Sequence, residues 1–149
     1  MAIFLCDEFP EANMDKVIKM CLIHDMGEAF TGDIPSFLKT EDHEKNEREL
    51  LFAWVGSLPE PYLSEFDSLY REMIERKSIE SRIFKALDGL EAIIQHNESD
   101  ISTWLENEYD LQLTYANDKV AFSEFLTRFR ELVKNESIEK IKKDNKSVF

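Results

Sequence analysis

A chain of 149 residues that is 43% hydrophobic and carries eleven phenylalanines is long enough for one buried core and too apolar to be disordered. Eighteen basic against 31 acidic side chains give a formal charge of −13, which excludes general nucleic-acid binding by phosphate neutralisation. A small anionic substrate remains compatible where a bound cation dominates the local field. With only four Gly and four Pro, the composition favours long helices, and no apolar run reaches membrane-spanning length. Met1–Cys6 is too short, and lacks the basic flank, for a signal peptide, so a cytoplasmic protein is expected. Cys6 and Cys21 lie in apolar stretches without CxxC spacing and are expected as buried, reduced thiols.

In chain order, residues 1–9 read as a helix, apolar at Ile3, Phe4, Leu5 and Phe9 but without an N-cap. Asn13 caps the next helix, Met14–Met26, whose apolar face carries Val17, Ile18, Cys21 and Leu22. Gly27 ends it, a helical turn bearing Glu28 follows, and Thr31–Pro35 forms a turn. Thr40 caps a helix running to Val55 that buries Leu50, Leu51, Ala53 and Trp54, and Gly56 terminates it. Pro61 opens a helix over 61–76. Ser78 caps the longest one, 79–96, with Ile79, Ile83, Phe84, Leu87, Leu90, Ile93 and Ile94 on its apolar stripe. A short helix near 101–108 and a longer one near 118–134, apolar at Val120, Phe122, Phe125, Leu126, Phe129 and Leu132, complete the core. Residues 1–134 form one domain, an all-α bundle of six to eight helices, and the lysine-rich 135–149 reads as a charged, frayed tail.

The chemistry concentrates in His24-Asp25-Met26-Gly27-Glu28, followed by Gly32-Asp33-Ile34-Pro35. Positions 24, 25 and 28 come together on a helix, and imidazole with carboxylate makes a donor set for a divalent transition metal. Asp88 lies within the aliphatic stripe of the 79–96 helix, where an unpaired carboxylate would carry a desolvation cost of several kcal/mol. His43 sits in a charged helix start and reads as solvated, while His96 stands about 12 Å along the helix from Asp88 at the standard rise. There is no GxSxG, no P-loop and no zinc-type Cys/His cluster.

The HD-x-x-E segment, the G-D-I-P turn and the Lys85-Ala86-Leu87-Asp88-Gly89-Leu90-Glu91 run together resemble the HD-domain metal-dependent phosphohydrolases, in their 5'-deoxynucleotidase-like branch. The resemblance implies an HD-domain helical bundle with His24, Asp25 and Asp88 as ligands of one divalent metal of manganese, cobalt or iron type. It implies a proton-transfer or water-positioning role for Glu28, and a place for Asp33 beside the scissile phosphate, both catalytic and substrate-binding. Lys85 either neutralises phosphate or pairs with a carboxylate.

The first histidine ligand of the family pattern falls upstream of Met1, so an N-terminally truncated domain with weakened metal binding is expected. The implied reaction is hydrolysis of (deoxy)nucleoside 5'-monophosphates by a homodimer that engages neither nucleic-acid polymer nor membrane. A catalytically inactive HD-fold module that binds a nucleotide or a partner is the alternative. A relative acting on a guanosine polyphosphate would need acidic motifs that are not clear in the chain.

Overall fold

The computed structural model describes residues 1–35 and 38–146, with the side chains of 145 and 146 left aside. Among the described residues there are helices and 3-10 turns and no strands. A 3-10 turn over Ala2–Leu5 leads to α1 (Met14–Ile23), a second 3-10 turn (His24–Gly27) and α2 (Glu28–Thr31). Then follow α3 (Glu41–Val55), α4 (Tyr62–Glu75) and α5 (Ile79–Glu98), a 3-10 turn (Ile101–Thr103), α6 (Glu106–Thr114), α7 (Asn117–Val120) and α8 (Glu124–Lys146). The all-α expectation holds.

The three polar starts behave as their side chains dictate. Asn13 accepts a hydrogen bond from the Lys16 amide at 3.1 Å, and Ser78 accepts one from Ser81 at the same distance. Thr40 accepts from the His43 amide while His43 Nδ1 accepts from the Thr40 amide, both at 3.3 Å. This reciprocal pair is a capping box built with a histidine, so His43 is a cap and not merely a solvated side chain.

α5 is the central element. It packs against α1, α4, α7 and α8, and its buried residues Ile83, Phe84, Ala86, Leu87 and Leu90 join Val17, Met20, Leu51, Val55, Leu69, Tyr70, Met73 and Leu126 in the main core. Each fully buried aliphatic side chain in that core stabilises the fold by about 2 kcal/mol. A smaller cluster of Ile93, Ala116 and Val133 lies toward the C-terminal end of α5. Gly89 sets the approach of the α6–α7 connection, because a Cβ there would lie 2.8 Å from the Ala116 Cβ.

Several boundaries and faces differ from those the pattern predicts. The first segment is a 3-10 turn in place of a nine-residue helix: Leu5 and Phe9 anchor it while Ile3 and Phe4 are exposed. With no side-chain cap to seed it, the segment is held by two anchors and not by a continuous helical ladder. α1 stops at Ile23 and buries Met14, Val17 and Met20, turning Leu22 outward. On α3 the buried pair is Leu51 and Val55, whereas Leu50 and Ala53 face out. The expected helix near 101–108 begins only at Glu106 and runs to Thr114. The expected 118–134 helix is broken before Glu124, where Ser123 accepts from the Leu126 amide, and Phe125 and Leu132 are exposed. α8 then continues to Lys146, with Ser137 fully buried, so 135–146 is packed helix and no frayed tail; 147–149 lie outside the described residues. Of the two thiols, both free, Cys6 is exposed and Cys21 half-buried.

Candidate metal and phosphate site

The end of α1 presents His24 because two hydrogen bonds fix it. Tyr70 of α4 donates its hydroxyl to the Ile23 carbonyl at 2.8 Å, and His24 Nδ1 lies 2.9 Å from the Cys21 carbonyl oxygen. Burial pushes the Tyr70 hydroxyl up to about 12, so it keeps its proton and remains a donor. A carbonyl only accepts, so Nδ1 carries a proton, and Nε2 is the nitrogen that faces away from this bond. The Phe84 ring packs edge-on against the imidazole, with centroids 5.4 Å apart.

Nε2 meets two carboxylates. Asp25 Oδ2 lies at 3.0 Å and Asp88 Oδ1 at 3.2 Å, joining residues 63 positions apart in sequence. The other Asp88 oxygen accepts from Lys85 Nζ at 2.8 Å, one helical turn earlier on α5. Lys85 is thus the partner of a carboxylate. Burial works against the charge on Asp88, but the His24 hydrogen bond and the Lys85 charge win and hold its carboxyl well below the usual range. Burial likewise opposes protonation of His24, and the bond to Asp88 with the charges of both aspartates outweighs it, raising the imidazole above its ordinary value.

This arrangement tests what the trio fits. A neutral imidazole with its proton on Nδ1 would aim an Nε2 lone pair at two anionic oxygens, which is repulsive unless a cation lies among them. A proton on Nε2 or a divalent metal meets that demand, and one imidazole with two carboxylates suits metals of manganese, iron or cobalt type. Among the described residues, however, no group of three or more His, Cys, Asp or Glu side chains forms a ready-made metal-ligand set; the contacts run pairwise through one nitrogen. The trio fits such an ion in donor chemistry and falls short of a complete ligand shell.

Glu28 and Asp33 line the same open hollow of about 440 Å³ as His24, Asp25 and Asp88. Glu28 is paired with Lys39 at 3.5 Å, and Lys39 makes a closer contact with Glu47 at 2.6 Å. Glu47 reaches this position because Gly27 leaves room: a Cβ there would lie 2.8 Å from Glu47 Cγ. Burial, then the charges of Asp25 and Asp33, push the Glu28 carboxyl upward against the pull of Lys39. Asp33 stands exposed on the turn after Gly32, whose φ of +80° suits glycine. Arg48, Arg76 and Tyr115 also line the hollow. The sequence pattern singles out none of them, nor Lys39, because their places depend on how α3, α4 and the α6–α7 connection return to α5.

A second hollow of about 650 Å³ also reaches the trio, lined by Ile3, Ile18, Cys21, Leu22, Leu87 and Glu91 among others. His43 and His96 are elsewhere: His43 caps α3, and His96 stacks on Trp104 with centroids 4.5 Å apart and faces Glu108 at 3.4 Å.

The chain is 32% identical over 100 residues to the bovine 5'-deoxynucleotidase HDDC2 (Bos taurus), an alignment covering 66% of the chain and 48% of that protein. The human protein (Homo sapiens) of the same name is 31% identical over 100 residues, with the same coverage of each chain. The Dictyostelium discoideum one is 30% identical over 115 residues, covering 75% of this chain and 60% of that one. The chain spans about half the length of the mammalian relatives it matches. No solved structure matches it at a significant level. No described helix is long and apolar enough to cross a membrane. The HD domain family model matches residues 1–129, nearly the whole bundle around the trio, and the chain belongs to the HD domain family.

Proposed function

We propose that the chain is a metal-dependent phosphohydrolase acting on (deoxy)nucleoside 5'-monophosphates. The observation that carries this reading is the Nε2 atom of His24 aimed between the Asp25 and Asp88 carboxylates at the edge of a hollow lined by Lys39, Arg48, Arg76 and Lys85. His24, Asp25 and Asp88 would hold one divalent ion of manganese, cobalt or iron type. Such an ion, when bound, lowers the pKa of coordinated water and polarises a phosphoryl oxygen. Glu28, its carboxyl pushed upward by burial and the charges of Asp25 and Asp33, takes and returns a proton at the hollow's edge. Asp33 orients the ester on the exposed turn, and Arg48 and Arg76, in no ion pair among the described residues, offset the phosphate charge in an otherwise acidic chain.

The names of the relatives support a nucleotide substrate, and exposed Ile3 and Leu22, which line the second hollow, support a homodimer that covers them. A second reading is a nucleotide-binding module without turnover. It is favoured by the single imidazole in the trio, since His43 and His96 are engaged in a helix cap and in the Trp104 stack.

The deciding experiment measures phosphate release from deoxynucleoside 5'-monophosphates with added manganese or cobalt, on the chain and on Asp88→Asn. Metal-dependent release abolished by the substitution is expected. Saturable nucleotide binding with no release under any metal would overturn the hydrolase in favour of the binding module. Light scattering that returns the monomer mass across the micromolar range would remove the dimer.

A further inference from the structure

A hollow of about 380 Å³ adjoins the candidate site on the flank of α5, and its charge inverts that of the chain. It is lined by Arg76, Arg82, Lys85 and Lys119 against one carboxylate, Asp118, in a protein whose acidic side chains outnumber its basic ones by 31 to 18. Lys85 is neutralised by Asp88, but Arg76, Arg82 and Lys119 enter no ion pair among the described residues.

Two of these cations are nonetheless positioned by aromatic rings. The Arg82 guanidinium lies 4.4 Å from the centroid of the Phe122 ring, and Lys119 Nζ lies 3.9 Å from that of Tyr115. An aromatic face orients a cation without cancelling its charge. Arg76 is the C-cap of α4 in a left-handed conformation at φ 53°, which turns the chain at the boundary of the two hollows. Arg76 and Lys85 line both, so the cationic hollow adjoins the one that holds the trio.

We infer that the Arg76–Arg82–Lys119 hollow is a binding site for a phosphoryl group, distinct from the phosphate handled at the trio. Two guanidinium forks and an ammonium lining one hollow supply the positive charge and the bidentate donors that a phosphoryl group takes. The concave shape and the acidity of the whole chain fit a small molecule and not a nucleic-acid polymer. The phosphoryl group arrives either as a second phosphate on the nucleotide itself or as a free ion acting beside it. The binding claim does not depend on turnover; only the choice between these sources builds on the proposed hydrolase.

Calorimetric titration of the full chain with pyrophosphate tests it. Saturable binding is expected, weakening with added salt and falling about tenfold in Arg82→Gln and in Lys119→Gln. Arg82→Lys is expected to recover part of the loss, with circular dichroism checking that each variant is folded. No binding up to millimolar pyrophosphate, or binding that both folded variants leave unchanged, would overturn the site. A KM that rises in Arg82→Gln for a nucleoside 3',5'-bisphosphate but not for a monophosphate assigns the group to the substrate. A monophosphate KM that responds to added pyrophosphate in the native chain alone assigns it to a free ion. A chain that binds pyrophosphate through these residues yet hydrolyses nothing keeps the phosphoryl site and loses the hydrolase.

Discussion

The middle and the C-terminal end of α5 both carry polar groups into the protein, in opposite ways. At the middle, Asp88 and Lys85 meet His24 and Asp25 at the edge of open hollows, and charge faces charge with water at hand. At the C-terminal end the polar groups are sealed and spend their hydrogen bonds on backbone. Arg130 of α8, only 1% exposed, donates to the Tyr115 and Gln112 carbonyls at 2.8 and 2.9 Å, closing the end of α6. Ser137 donates to Asn97 Oδ1, and Lys140 donates to the carbonyls of Asn97 in the last turn of α5 and of Ser99, its C-cap. The first arrangement leaves an electrostatic demand open to solvent; the second spends most of its donors on carbonyls, with Arg130 Nη1 and His96 Nε2 buried without a hydrogen-bond partner among the described residues. The candidate site and the network that closes the far end therefore separate along one helix.

The sharpest way to break that separation is to exchange the effects. Asp88→Ala is expected to lower phosphate release about a thousandfold, equivalent to about 4 kcal/mol of transition-state stabilisation, while shifting the urea midpoint little. A large loss of stability in that variant would make Asp88 a structural residue like Arg130. Arg130→Met is expected to do the reverse. It strips two carbonyls of their buried donor and should cost about 3 kcal/mol in urea unfolding, with turnover per folded molecule retained. Arg130 makes no ion pair among the described residues, and desolvation lowers its pKa against the longer-range charge of Glu131, so the loss should come from the hydrogen bonds and not from a broken ion pair.

Gly89 lies between the two regions, and Gly89→Ala probes how rigidly they are joined. The added methyl would meet Ala116 Cβ at 2.8 Å and Lys119 Cδ at 3.0 Å, so the α6–α7 connection must move. A cost of about 2 kcal/mol is expected by thermal melting, against the gain that alanine ordinarily brings to a helix. A stabilised Gly89→Ala would mean that the connection yields freely.

The smallest effect belongs to the N-terminal end of α5, where Glu80 accepts from the Asn13 amide at 2.9 Å and ties α5 to the start of α1. That bond, against desolvation, holds the Glu80 carboxyl below its ordinary 4.5. A depressed folded value means stability present above the unfolded pKa and lost as pH falls through the folded one. Glu80→Gln should therefore cost under about 1 kcal/mol at neutral pH, with the difference fading in acid. Urea melts on both proteins at neutral and acid pH check it, and a pH-independent difference would exclude the charge as its source.

The parts of this fold that are legible in sequence are those decided locally. Asn13, Thr40 and Ser78 announce helix starts because a short side-chain oxygen must serve the amide three positions on. Asp88 stands out because a carboxylate in an aliphatic stripe needs a partner, and the structure brings it to His24. What the sequence hides is decided by return paths. Lys39 sits in a loop, and nothing in its neighbours says that it will lie between Glu28 and Glu47. Arg130 reads as a surface charge on α8, and only the carbonyls at the end of α6 account for its burial. The same carbonyls, with those beyond α5, explain why α8 stays packed past residue 134.

The hydrogen bond from His24 Nδ1 to the Cys21 carbonyl has a consequence for how helix length and proton position are linked. Cys21 lies in the last turn of α1, where carbonyls lack intrahelical partners, and His24 is the C-cap. The same bond that finishes the helix also selects the imidazole tautomer. A variant that carried α1 one turn further would occupy that carbonyl with a backbone amide and free Nδ1. The ring could then place its proton on either nitrogen, and Nε2 would no longer be committed to the two carboxylates. The register at which α1 ends is thus a chemical setting, written in backbone geometry and read out at the ring.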